Sequence, residues 1–422
     1  MTGTTIGFVG MTHLGIVSAA AAAARGFDVV CHDSSPDRIT ALAEGRMPVF
    51  EPKLEEICRA QASRMHFTSD PAQLDACGVV YVAPDVATND AGDSDLSTIN
   101  SLTSQVLARP AAFTVVVLSQ VPPGFTRTLD RRHHPLHYQV ETLIFGNAVE
   151  RAVKPERFIV GCADPAEAMP AAYENFLKAF GCPILPMRYE SAELAKIAIN
   201  CCLVAMVSTA NTLAEICEGI GADWSEIVPA LRLDRRIGEY AYLQPGLGLA
   251  GGNLERDLAT VQQLAVHLGT DAGVVSAWVA NSRHRRHWPL RVLRETVLAE
   301  TPDACVGVMG LAYKQDTHSI KNSAAVALID GLARATIKAY DPIVAADAVQ
   351  RPNLIRVAEP MHVADGAEAV ALMTPWSAFR EIEPAALAAR MKGRILLDPY
   401  RLLDAVACRR AGLIHYRLGI SQ

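Results

Sequence analysis

Residues 4–33, TTIGFVGMTHLGIVSAAAAAARGFDVVCHD, decide the fold. Residues 4–9 are a short apolar run, Gly10 opens a turn, residues 16–24 are an alanine-rich helical stretch, and residues 28–32 are a second apolar run. Strand, glycine turn, helix and strand in that order open a βαβ unit. The turn Gly10-Met11-Thr12-His13-Leu14-Gly15 carries the first and third glycines of a dinucleotide fingerprint. It lacks the second, and the β-branched Thr12 crowds the point where backbone approaches a pyrophosphate. Asp33 ends the second strand and is placed to hold a ribose 2′-hydroxyl. A carboxylate there repels a 2′-phosphate, so NAD is the expected cofactor rather than NADP.

Working outward, strand-like runs at 78–82 and 113–118 extend a parallel sheet, and the first domain is expected over 1–190. Residues 191–219 carry apolar side chains at helical spacing over a length that suits one long central helix, and helical patterns continue to about 290. A new strand and glycine turn begin at 305–311, with further strands near 337–340, 369–373 and 395–398. The expected fold is therefore α/β, with two Rossmann-like doubly wound domains, 1–190 and 303–422, joined by a long central helix and a helical dimerisation region over 191–302.

Composition narrows the function. A chain of 422 residues, half of them apolar, is long enough for two or three cores. A net charge of −6 gives no blanket attraction to nucleic acid or to an anionic membrane, so neither is an expected partner. The ten cysteines lack paired spacing, which argues for reduced thiols in a cytoplasm. The N-terminal residues show no signal-peptide pattern. Residues 197–217 are apolar, but Asn200, Asn211 and Glu215 interrupt them, so a buried helix is expected rather than a membrane span. The basic run Arg283-His284-Arg285-Arg286 reads as a solvated helix face.

Several motifs lie in one order along nearly the whole chain. Leu42, Gly45, Pro48, Glu51 and Pro52 form Leu-x-x-Gly-x-x-Pro-x-x-Glu-Pro. Ser119-Gln120-Val121-Pro122-Pro123-Gly124 is followed by a segment with Glu141, Leu143, Gly146 and Ala148, and then by Ala192-Glu193-x-x-Lys196-x-x-x-Asn200. Next come Asp234-x-Arg236-Ile237-Gly238, the loop from Pro245 to Asp257, the stretch from Gly310 to Ser323, Tyr340-Asp341-Pro342 and Thr374-Pro375-Trp376. Together these resemble the UDP-glucose/GDP-mannose dehydrogenase family.

The resemblance implies roles for residues that match. Gly10, Thr12, Gly15, Asp33, Arg38, Pro84 and Gln120 would border NAD. Lys196, Asn200 and Asp257, with Glu141, would position water and stabilise oxyanion charge during hydride transfer. Arg236, Tyr242, Gly248, Gly251, Lys314 and Lys321 would serve a nucleotide sugar, with Arg236 reaching it across the interface of a homodimer. No metal is implied.

Three departures fall together. In the family the loop leads into Ser-Cys, whose thiolate traps an aldehyde; here Gly252 and Asn253 stand in those places, and an amide cannot form a thiohemiacetal. No cysteine lies between Glu218 and Ala304. Phe145 replaces a glutamate that helps thioester hydrolysis, and Gln120 replaces a threonine that bonds water. Asp398-Pro399-Tyr400-Arg401 also departs from the family's Asp-x-Arg-Asn. The expectation is a single two-electron alcohol oxidation on a nucleotide sugar, with Asn253 holding the substrate oxygen. Acid formation through a hydrated aldehyde and a non-catalytic nucleotide-sugar-binding subunit are the alternatives.

Overall fold

Ile-Gly-Phe-Val, Val-Val-Tyr-Val and Thr-Val-Val-Val are apolar on both faces, and each becomes a fully buried strand. The computed structural model describes residues 3–89 and 93–421. They fall into two units, Met1–Ile199 and Asn200–Gln422.

The first unit holds an eight-stranded sheet. Its strands are β1 (Ile6–Val9), β2 (Val29–His32), β3 (Met65–Thr68), β4 (Val79–Val82), β5 (Thr114–Val117), β6 (Leu136–Gln139), β7 (Phe158–Cys162) and β8 (Ile184–Arg188). They lie in the order β3-β2-β1-β4-β5-β6-β7-β8, parallel except where β7 meets β6. Side chains alternate as the pleat demands. Ile6, Phe8, Val79 and Tyr81 face the cluster that packs under the first helix, while Val9, Val80 and Val82 face the other side. That helix, His13–Ala24, is almost wholly buried, which suits its run of six alanines.

The second unit holds a six-stranded parallel sheet of β9 (Cys305–Met309), β10 (Thr336–Tyr340), β11 (Leu354–Arg356), β12 (Ala369–Leu372), β13 (Ile395–Leu397) and β14 (Ile414–Tyr416). Its order, β11-β10-β9-β12-β13-β14, repeats the crossover pattern of the first six strands. Both sheets are doubly wound, as the sequence leads one to expect. The helices Trp224–Leu233, Asn253–Leu268, Gly273–Arg286 and Trp288–Thr296 precede this sheet.

The long helix runs over Tyr189–Ile220. Among the described residues it alone is long and apolar enough to cross a membrane by length and composition, and its most apolar stretch is 39% buried. Its polar residues are used within the protein. Asn211 accepts from Gly246 N at 2.8 Å, and Ala210, Ala214 and Cys217 pack with Trp224 and Leu243. All ten cysteines are free, and only Cys202 is exposed.

Candidate functional site

The turn after β1 is shaped by two glycines. Gly10 has φ +92°, and a Cβ there would stand 2.9 Å from Pro84 N; a Cβ on Gly15 would stand 2.0 Å from Gly10 O. No side chain fits at either position. The hydroxyl of Thr12, the residue in place of the second fingerprint glycine, accepts from Asp85 N at 2.8 Å and does not cap the helix it precedes. The first amides of that helix therefore remain available to an anion. At the end of β2, Asp33 accepts from Met11 N at 2.8 Å, from Ser35 N at 3.0 Å and from the Arg38 guanidinium at 2.9 Å. These features fit a dinucleotide: an uncapped helix start for the pyrophosphate, and the Asp33–Arg38 pair for the adenosine ribose. Pro84 closes the turn from the end of β4, held by Ser119 Oγ donating to its carbonyl at 2.5 Å, and the neighbouring Gln120 is buried.

Beside this turn lies a cluster that motif matching does not reveal. His13, the first residue of the helix, stacks on Phe145 with ring centroids 4.1 Å apart and planes 13° apart. Its Nε2 is 3.1 Å from Glu51, whose carboxylate also accepts from Gly146 N and Ala148 N. Burial pushes Glu51 up, but the His13 and amide hydrogen bonds outweigh it and hold the group below its ordinary value. The family's Pro-x-x-Glu-Pro glutamate thus ties the helix start to the turn that carries Phe145.

The expected catalytic residues come together in two pairs. In the first unit Lys196 Nζ is 2.7 Å from Glu141, which also accepts from Leu143 N at 2.9 Å. In the second unit Asn200 donates to Asp257 at 2.5 Å, and Asp257 is 1% exposed. Lys196 and Asn200 are one turn apart on the same helix. Two neighbours were not singled out from sequence. Buried Arg256 lies 3.3 Å from Asp257, where the family's Lys-Asp becomes Arg-Asp, and that pairing was the available signal. Fully buried Glu193 accepts from Gly124 N at 2.6 Å and Thr126 N at 2.8 Å. It anchors the loop after Gln120. Burial pushes its carboxyl up further than these hydrogen bonds pull it down.

Asn253 is the first residue of the helix Asn253–Leu268, and it is exposed, with Asp257 one turn further on. The nearby thiol is Cys201, on the long helix, packed with Leu249, Leu254 and Leu258. Burial, reinforced by Asp257, pushes it up to about 11, so it is a thiol and not a nucleophilic thiolate.

The loop before Asn253 is fixed at several points. Leu249 N donates to Ser282 Oγ at 2.7 Å, and Arg286 donates to Leu249 O at 2.7 Å and to Glu255 at 2.6 Å. Gly248 has φ +81°, and a Cβ would meet Ser282 O at 2.3 Å. Gly251 faces the ring of Tyr313, and its N donates to Lys321 O at 3.0 Å. Lys314 Nζ stands over the same ring, 5.7 Å from its centroid. Gly248, Gly251, Lys314 and Lys321 therefore belong to one neighbourhood. Arg236 does not join it: its side chain is 89% exposed and pairs with Asp234 at 2.6 Å, while Tyr242 is half exposed.

A glycine turn with an acid after the second strand, followed by a second sheet of the same winding, defines a dinucleotide-dependent protein with two Rossmann-type sheets. Comparison with known proteins narrows this class. Residues 4–180 match the NAD binding domain of the UDP-glucose/GDP-mannose dehydrogenase family, residues 190–283 its central domain and residues 307–405 its UDP binding domain. The chain is 27% identical to the UDP-glucose 6-dehydrogenase TuaD of Bacillus subtilis, over 98% of this chain and 93% of that one. It is 28% identical to a UDP-glucose 6-dehydrogenase of Pseudomonas aeruginosa, over 97% and 96%. A UDP-glucose dehydrogenase structure from Pyrobaculum islandicum superposes with a TM-score of 0.86 at 26% identity, covering 100% of this chain and 98% of the other. The chain belongs to the UDP-glucose/GDP-mannose dehydrogenase family, and NAD is its cofactor.

Proposed function

We propose that this chain is an NAD-dependent dehydrogenase that oxidises one alcohol group of a UDP-sugar or related sugar nucleotide by two electrons, without a covalent thiohemiacetal. The observation that carries this reading is the start of the helix Asn253–Leu268. The exposed amide of Asn253, which the resemblance sets at the nucleophile position, lies one turn from an Asp257 held by Asn200 and Arg256.

NAD, when bound, accepts the hydride. The remaining work belongs to the protein. The hydroxyl proton passes to the Glu141 carboxylate, which Lys196 holds in place, while the Lys196 ammonium stabilises the oxyanion charge that develops on the substrate. Asn200 and Asp257 orient the reacting oxygen or a water beside it, and Asn253 donates to the substrate oxygen. Phe145, stacked on His13, supplies no group to deprotonate a water, which favours release of the carbonyl product. Lys314 and Lys321 meet the diphosphate, aided by loop amides at Gly248 and Gly251. Arg236 completes the substrate site from a second copy in a homodimer, and Tyr242 serves the substrate as well. Exposed Leu213, Ile216, Ile220, Leu233 and Tyr240 supply apolar surface for that pairing. The ten free thiols suit a reducing cytoplasm.

The test is a panel of UDP-, GDP- and dTDP-sugars incubated with protein and NAD, headed by UDP-glucose, following NADH and product mass. Loss of two hydrogens is expected. A gain of oxygen alongside that loss moves the reading to acid formation through a hydrated aldehyde. Tight binding without NADH moves it to a binding subunit. Lys196→Ala is expected to abolish hydride transfer and leave binding measurable. Asn253→Cys alone is expected not to restore efficient acid formation while Phe145 remains.

A further inference from the structure

The loop bearing Gly248 and Gly251 and the segment bearing Tyr313, Lys314 and Lys321 are separated by about sixty residues of sequence, yet a single side chain joins them. Asn322 Nδ2 donates to Gly251 O at 2.8 Å and also to the Glu255 carboxylate. Glu255 lies two residues after Asn253, in the first turn of the helix that Asn253 begins, and its other oxygen accepts from Arg286 at 2.6 Å. Beside this contact Gly251 N donates to Lys321 O at 3.0 Å, and the Gly251 backbone rests on the Tyr313 ring. Asn322 has φ +55°, a left-handed conformation that asparagine tolerates better than most residues. The backbone is thus turned there so that the amide faces the loop.

We propose that Asn322 is a positioning residue that latches the loop of Asn253 to the segment that receives the nucleoside diphosphate, so that nucleotide binding fixes the reacting end of the site. This rests on the reading of Lys314 and Lys321 given above. A diphosphate held by those lysines immobilises the 313–322 segment. Through Asn322 and the Lys321 carbonyl, the same restraint reaches Gly251, Glu255 and the first turn carrying Asn253. The binding energy of a part of the substrate that does not react is thereby used to orient the part that does. Asn322 itself touches neither substrate nor cofactor in this scheme.

The experiment uses the full chain, with UDP as the binding probe and hydrogen exchange of the 246–252 amides as a readout that needs no turnover. Asn322→Gly keeps the left-handed backbone accessible and removes the amide, so it is the variant least prone to fail in folding. In the wild type, UDP is expected to slow exchange of the loop. In Asn322→Gly that slowing is lost, the UDP Kd stays within about twofold, and the single-turnover hydride-transfer rate falls about tenfold, the size set by losing a hydrogen bond to a charged group. Asn322→Asp places a carboxylate against Glu255 and is expected to lose at least as much. Adding Glu255→Gln to Asn322→Asp restores a donor between the two positions and recovers part of the rate. The proposal is overturned if UDP protects the loop equally in wild type and Asn322→Gly, or if Kd and rate weaken together. It is also overturned if UDP binds the wild type without affecting the loop, a result that leaves the proposed activity standing. A wild type that binds no nucleotide or sugar nucleotide at all sinks both.

Discussion

The ends of β1 and β9 are built alike and finished differently. Each strand runs into a glycine with nearly the same left-handed φ, +92° at Gly10 and +91° at Gly310, pressed against the second residue after the neighbouring strand, Pro84 or Thr374. Each second strand is followed directly by an aspartate, Asp33 or Asp341. After Gly10 the helix starts within three residues and its first amides stay uncapped. After Gly310 the segment 311–323 intervenes before the helix Ala324–Gly331, with left-handed residues at Asp316 and Asn322. Asp341 is consumed by that detour. It accepts from Leu311, Ala312, Ile343 and Val344 N–H groups and from the Trp376 indole, whereas Asp33 takes two N–H groups and the partly exposed guanidinium of Arg38. One winding therefore gives two kinds of site. The first presents helix amides and an acid to a dinucleotide; the second uses its acid as an internal clasp and presents side chains on a long loop.

The comparison breaks most visibly if the two aspartates prove equivalent. Asp341→Asn turns an amide toward N–H donors and is expected to cost about 4 kcal/mol, against about 1 kcal/mol for Asp33→Asn, because unsatisfied buried donors are expensive. All four tryptophans lie in the second unit, so urea unfolding followed by tryptophan fluorescence reports the Asp341 effect there.

A next, somewhat smaller effect belongs to the first unit alone. His137 in β6 is buried edge-on to Tyr173, and desolvation lowers it from 6.5 to about 4. The folded protein keeps it neutral while the unfolded chain protonates below pH 6.5, so stability falls as pH drops through that window and levels off below about 4. The drop amounts to about 3 kcal/mol. His137→Phe should make that slope shallower in unfolding curves recorded by circular dichroism, leaving the part due to His32, whose imidazole is also lowered by burial; an unchanged slope would mean that the His137 imidazole titrates normally.

The two glycines give a finer gap. Gly310→Ala brings a Cβ to 2.4 Å from the Thr374 side chain, and Gly10→Ala to 2.9 Å from Pro84 N. The first is expected to destabilise by about 1 kcal/mol more than the second, on top of the strain both share. Only Gly10→Ala should weaken NAD binding measured by calorimetry. The smallest effect sharpens the contrast in ligand choice. Asp33→Asn removes the charge that repels a 2′-phosphate and should shift the NAD/NADP affinity ratio about threefold toward NADP, a change of about 0.7 kcal/mol. Asp341→Asn should leave that ratio unchanged.

Where strands are apolar on both faces, as in β1, β4, β5 and β9, they were legible as continuous runs in the sequence. β3, Met-His-Phe-Thr, and β6, Leu-His-Tyr-Gln, alternate apolar and polar residues over only four positions, too short a run to stand out from its surroundings. β8 contains Pro186 and is partly exposed at the sheet edge, where a missing N–H is tolerated. In the site, Lys196, Asn200 and Asp257 stood out because they belong to compact motifs. The pairings between distant residues did not. Glu141 pairs with Lys196 from 55 positions away and Glu51 with His13 from 38 away, and Asn322 meets Gly251 from 71 away. Contacts of that span are set by the winding of the sheets, which no local spacing encodes.

The distribution of thiols carries a further consequence. Relatives that trap an aldehyde on a cysteine must keep a reactive thiolate within reach of solvent, and peroxide or an alkylating agent that finds it stops the reaction. Here only Cys202 is exposed, and Cys201, which packs in the cluster of Leu249 and Leu258, is held protonated by burial. On the mechanism proposed above, the reaction centre is an amide, an ammonium and carboxylates and presents no such target, and turnover is then expected to survive peroxide treatment that would stop a thiolate-dependent relative.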